Sequence, residues 1–141
     1  MSWYLGLSVA LRGKLDVVQR KMARFVLGVG PRTHIGQDTL KGLGWLTVKD
    51  RVRYFALLHV FRVKNGCGPA YLRKGFVPVQ DVHDHKTRGS SLGFHISAND
   101  VVGTFEYFGK KEWNEIPERL KTLKNINAFK TGLKESFLER Y

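Results

Sequence analysis

The chain has 141 residues, with 24 Lys and Arg against 12 Asp and Glu for a net charge of +12, and 43% hydrophobic residues that include three Trp, five Tyr and nine Phe. This length holds one domain with a real core and excludes a second full one, while the aromatic content excludes a disordered chain, which lacks the side chains that make burial worthwhile. One cysteine, Cys67, excludes an internal disulfide and any zinc site built on several thiolates, and fits a reducing intracellular setting, cytoplasm or nucleus.

The charge is unevenly spread. Residues 1–75 hold 14 basic side chains against Asp16, Asp38 and Asp50, a net +11, whereas residues 76–103 carry −1 and residues 104–141 carry +2. A field this lopsided favours a polyanionic partner on one side of the molecule. Three parts follow from it: a basic helical part at 1–75, a loop or hairpin at 76–103, and carboxy-terminal helices at 104–141.

The apolar run Trp3 to Leu11 has no Lys or Arg before it and no A-x-A pattern after it, so it is not expected to be a signal peptide. No stretch reaches the ~20 apolar residues of a membrane span, and no membrane partner is expected. From Leu11 the apolar residues Leu11, Leu15, Val18, Met22, Phe25 and Val26 fall on one helical face, with Lys14, Arg20, Lys21 and Arg24 on the other side. Gly28, Gly30 and Pro31 end this helix.

A short helix is expected from about Gly36 to Gly42, then a turn at Gly44. Thr47 to Asp50 forms a capping-box arrangement that opens a long helix running to Asn65-Gly66. Between Tyr54 and Val63 that helix is apolar nearly all round, as befits the central buried helix. Val79 to Ser91 reads as an exposed loop, and the alternating Leu92, Phe94 and Ile96 suit a short strand, at most one small hairpin. A helix carrying Phe105, Phe108 and Trp113 is expected from Thr104 to Glu115, stopped before Pro117. A last one, from about Asn127, places Phe129, Leu133 and Phe137 on one face. The fold class is thus mainly α: a small helical domain of amphipathic helices around a central buried helix.

Chemistry-bearing motifs are sparse. No aspartate pair suits two-metal catalysis; Asp81, His83, Asp84 and His85 share one loop but lack a second contributing segment, and Lys86 and Arg88 add positive charge. Cys67 sits in a turn, and Gly28-x-Gly30-Pro31 follows a helix where a dinucleotide site needs a strand. No catalytic residue, metal or cofactor is therefore expected. The candidate functional residues are basic: Lys14, Arg20, Lys21 and Arg24 on the first long helix, Arg32 after it, and Lys49 and Arg53 at the start of the next, a set able to follow a phosphate backbone through charge. Exposed aromatics near them could stack on unpaired bases.

Seven motifs in fixed order carry a resemblance. They are Leu15-Asp16-Val17-Val18-Gln19-Arg20-Lys21-Met22-Ala23-Arg24-Phe25-Val26-Leu27-Gly28, Pro31-Arg32-Thr33-His34-Ile35, Leu43-Gly44-Trp45-Leu46-x-Val48-x-x-Arg51, Pro69-x-Tyr71-Leu72, His83 with Thr87-Arg88, Trp113-Asn114-x-Ile116-Pro117, and Ala128-Phe129-Lys130-x-x-Leu133-Lys134. Together they span nearly the whole chain, which resembles the region downstream of the polymerase palm in non-LTR (LINE-type, jockey-like) retrotransposon reverse transcriptases. The family's palm aspartates and its endonuclease have no counterpart here. The resemblance implies a non-catalytic carboxy-terminal module near the thumb that holds template RNA or target DNA. Two alternatives stand behind this leading reading: a structural docking module that buttresses an upstream reverse transcriptase domain, and a decayed transposable-element fragment without cellular role.

Overall fold

A computed structural model describes residues 2–82 and 92–141. It is mainly helical: α1 (Ser2–Leu5), α2 (Val9–Leu27), α3 (Gln37–Gly42), α4 (Val48–Lys64), α5 (Ala70–Arg73), α6 (Phe105–Glu115), α7 (Glu118–Lys121) and α8 (Ile126–Leu138), with a 3-10 turn at Val79–Asp81. Local chemistry sets the helix ends. Ser8 Oγ accepts the Leu11 N–H at the start of α2, Thr104 Oγ1 accepts that of Tyr107 in α6, and Asn125 Oδ1 accepts those of Asn127 and Ala128 in α8. Each such cap is worth about 1 kcal/mol. At the end of α2, Gly28 takes φ +64°, and the Gly28 and Val29 amides return to the carbonyls of Phe25 and Arg24.

Thr47 caps α4 as expected, but the return bond to its own N–H comes from far along the chain and not from Asp50. Thr47 Oγ1 accepts the Asp50 N–H and its hydroxyl donates to Asp50 Oδ2. The Tyr141 hydroxyl completes the cluster, accepting the Thr47 N–H at 2.8 Å and donating to Asp50 Oδ2 at 2.7 Å. The last side chain of the sequence thereby ties α8 to the first turn of α4.

α4 is the centre of the main core, with Ala56, Leu57, Leu58, Val60, Phe61 and Val63 buried. It packs most extensively on α6 and next on α8. Gly109 permits the close approach of α6, since a Cβ there would lie 2.8 Å from Val60 Cγ2. Phe61 stacks on Phe129 at 4.4 Å and Trp113 on Phe129 at 5.8 Å, and Phe94 leans on Trp113. Truncating one such ring to Ala typically costs about 3–5 kcal/mol.

The Trp113-Asn114-x-Ile116-Pro117 motif has a structural job. Trp113 is fully buried and its Nε1 donates to the Leu92 carbonyl at 3.0 Å. Asn114 accepts the Phe94 N–H through Oδ1 and donates to the Phe94 carbonyl through Nδ2, both at 2.9 Å. Ile116 is buried, and Pro117 opens the single turn of α7. The segment around Phe94 is thus held by a side chain that imitates a neighbouring strand. Its alternation yields no strand among the described residues, only an antiparallel bridge to Pro78, and a proline has no N–H to extend the ladder.

A smaller cluster of Ala23, Ile35 and Leu40, with Leu43 and Trp45 against it, fastens α2 to α3 and the following turn. Polar links add to it: Gln19 Nε2 donates to the Leu46 carbonyl at 2.7 Å, and Arg12 donates to the Leu5 carbonyl while lying over the Tyr4 ring. Among the described residues no helix is long and apolar enough to cross a membrane.

Candidate nucleic-acid interface

α2 does not meet the body with the face its periodicity marks as apolar. At about 100° per residue, Arg12, Asp16, Gln19 and Ala23 form the side turned inward, and only Ala23 is buried. The apolar seam lies next to it and faces solvent: Leu11, Val18, Met22, Phe25 and Val26 are all exposed, Phe25 by 82%. Leu15, Val18 and Met22 form one wall of a groove of about 340 Å³ whose other wall is Trp45, Val48 and Arg51. The basic strip follows on the far side of the seam.

Of the expected basic residues, Lys14, Arg20, Lys21, Arg32 and Lys49 are exposed and Arg24 is half-buried. None of them forms an ion pair with a described residue. Arg20 Nε donates to the Asp16 carbonyl and Arg24 Nε to the Thr33 carbonyl, which steadies both guanidinium groups while leaving their charge uncompensated. Lys14, Arg20, Lys21 and Arg24 therefore share the solvent side of one helix, and Arg32 stands just beyond its end. Lys49 lies apart, in a cleft with Tyr4, Arg12 and Asp16 on the opposite side of α2.

Arg53 is different. Its side chain is 15% exposed and is paired with Asp50, Glu112 and, at 3.1 Å, Glu115, while its guanidinium covers the Phe137 ring. Its charge is neutralised within the chain, so it braces α4 against α6 and α8 and is left out of the basic surface. Lys64 is likewise engaged, donating to the Lys121 carbonyl and lying over Trp113. Burial lowers the pKa of both Lys64 and Lys121 from the ordinary lysine value.

Charge counting missed a second exposed row. α4 is apolar nearly all round between Tyr54 and Val63, yet Arg51, Phe55, His59 and Arg62 recur along one exposed line at the spacing i, i+4, i+8, i+11 of a helix ridge. Phe55 is 48% exposed, and this row borders a cleft completed by Lys130 of α8. The signal was present in His59 and Arg62, the two polar residues interrupting the apolar run.

Among the described residues no group of three or more His, Cys, Asp or Glu side chains could hold a metal ion. Of the Asp81–His85 cluster, His83, Asp84 and His85 lie outside the described residues, as do the flanking Lys86, Thr87 and Arg88. Cys67 is exposed in the turn after α4. No family model, curated protein or solved structure matches the chain.

Proposed function

We propose that this chain is a non-catalytic nucleic-acid-binding module of the kind its motifs imply, the region that follows the palm in LINE-type reverse transcriptases. The observation that carries this reading is the strip Lys14, Arg20, Lys21 and Arg24 on the solvent side of α2, continued by Arg32 and free of carboxylate partners among the described residues. Such a strip neutralises phosphates and releases their counterions without reading bases. RNA or single-stranded DNA should bind with little sequence preference and with steep salt dependence. Fluorescence anisotropy of a labelled oligonucleotide tests it: the double substitution Arg20→Glu, Arg24→Glu should weaken binding and flatten its salt dependence. Absence of binding by the native chain at low salt would sink the proposal.

A second reading is favoured by the exposed seam of α2. Leu15, Val18 and Met22 with the groove beside them suit contact with an upstream polymerase domain, which the resemblance puts ahead of this region. The patch should then drive weak self-association of the isolated chain. Sedimentation velocity would show concentration-dependent association that Met22→Glu abolishes; a monodisperse monomer at all concentrations would count against docking.

A further inference from the structure

The cleft between α4 and α8 combines features that neither the charge count nor the apolar pattern predicts. It has a volume of about 560 Å³ and is lined by Tyr54, Phe55, Leu58, His59, Arg62 and Lys130, within the size range of small-ligand sites. Leu58 forms its buried side, while Phe55 stands on the rim with its ring edge-to-face to Tyr54 at 5.5 Å. Arg62 and Lys130 have no ion-pair partner among the described residues, and no carboxylate lines the cleft. Lys134, one turn after Lys130 on α8, places its Nζ beside Gly44. Arg51, at the other end of the α4 ridge, also borders the groove beside α2.

An accessible aromatic ring beside unpaired cations suits one ligand chemistry above others: a π-face for the ring and a phosphate for the cations. We infer that this cleft is a nucleotide site for single-stranded RNA or DNA, in which one unpaired base stacks on Phe55 and its flanking phosphates lie against Arg62 and Lys130. A base inside a duplex is already stacked on both faces and cannot offer one to Phe55, so the site selects unpaired strand. The Arg51 to Arg62 ridge extends for about 16 Å at about 1.5 Å per residue, enough for a strand to pass from this cleft towards α2. Partial loss of hydration against α4, and then the neighbouring Arg62 charge, lower the His59 pKa below its ordinary value, although the residue is exposed.

The inference rests on the nucleic-acid reading of the chain, and its test separates the two. A labelled single-stranded oligonucleotide and a blunt duplex are titrated into the full 141-residue protein and into Phe55→Ala, Phe55→Trp and the double variant Arg62→Gln, Lys130→Gln. Phe55→Ala should weaken single-strand binding roughly ten-fold or more and leave duplex binding within about two-fold. Phe55→Trp should retain single-strand affinity because the indole also offers a π-face, and the unchanged duplex binding of Phe55→Ala shows that this variant is folded. The double variant should lower the salt dependence of single-strand binding by about two phosphate contacts, a slope change of about 1.4. Equal binding of single strand by the native protein and Phe55→Ala would overturn the cleft while leaving α2 as the contact surface. No binding of either polymer by the native protein would overturn both.

Discussion

Replacing Gly109 by alanine sets two opposed effects against each other, and the structure decides which prevails. In a helix interior, Gly to Ala is worth about 1 kcal/mol in favour of alanine. At position 109 the new methyl would lie 2.8 Å from Val60 Cγ2 and 3.3 Å from Phe76 Cζ, both side chains buried. Val60 cannot turn aside readily, because a β-branched side chain in a helix holds essentially one rotamer, so overpacking costs about 1–3 kcal/mol. Gly109→Ala should therefore be neutral to destabilising, by up to about 2 kcal/mol. Gly13 is the control, lying within α2 with nothing within 4 Å of its would-be Cβ, so Gly13→Ala should stabilise by up to about 1 kcal/mol. The difference between the two variants isolates the clash. Urea unfolding followed by tryptophan fluorescence, with Trp113 as a buried reporter, measures it as a shift in midpoint at constant slope. Equal stabilisation by both alanines would refute the close approach of α4 and α6.

Asn114→Ala removes both hydrogen bonds that hold the Phe94 backbone and should cost about 2 kcal/mol in the same unfolding assay. Asn114→Asp should recover little of this, since a carboxylate restores the acceptor but faces the Phe94 carbonyl. The hydrogen bond from Lys110 holds the Asp100 carboxyl below its ordinary value, so the folded chain binds that proton more weakly than the unfolded one. That contribution is complete above the unfolded value of about 3.9 and is lost as the pH falls towards the folded value; the stability gap between the native protein and Asp100→Asn should narrow from pH 6 down to pH 3. Arg53→Gln leaves Glu112 buried without its ion pair and should cost about 3 kcal/mol or more. Arg20→Gln should change the unfolding midpoint negligibly, which separates bracing arginines from surface ones.

The elements were legible in the sequence wherever a chemical signal was local. Thr47 and Asp50 marked the start of α4, Gly28 the end of α2, and the spacing of Phe129, Leu133 and Phe137 the buried face of α8. The single turns α5 and α7, each opened by a proline, are too short to display a period. What sequence could not supply was the identity of each neighbour. Periodicity announced an apolar seam on α2 but not that the helix would turn Arg12, Asp16 and Gln19 inward and leave the seam in solvent. Arg53 counted as one more positive charge because Glu112 and Glu115 lie some 60 positions away along the chain. Phe55 was hidden in an apolar run, and only packing separates it from the fully buried Leu57 two positions on.

Salt dependence reads out the phosphate contacts made by the basic strip on α2. Log affinity for a single-stranded oligonucleotide is measured against log salt concentration for the native protein and for the triple variant Arg20→Gln, Lys21→Gln, Arg24→Gln. Neutralising three phosphate contacts on a single strand should reduce the slope by about 2, at roughly 0.7 per contact. An unchanged slope, with the triple variant folded and binding as the native protein does, would contradict the claim that α2 carries the nucleic-acid surface.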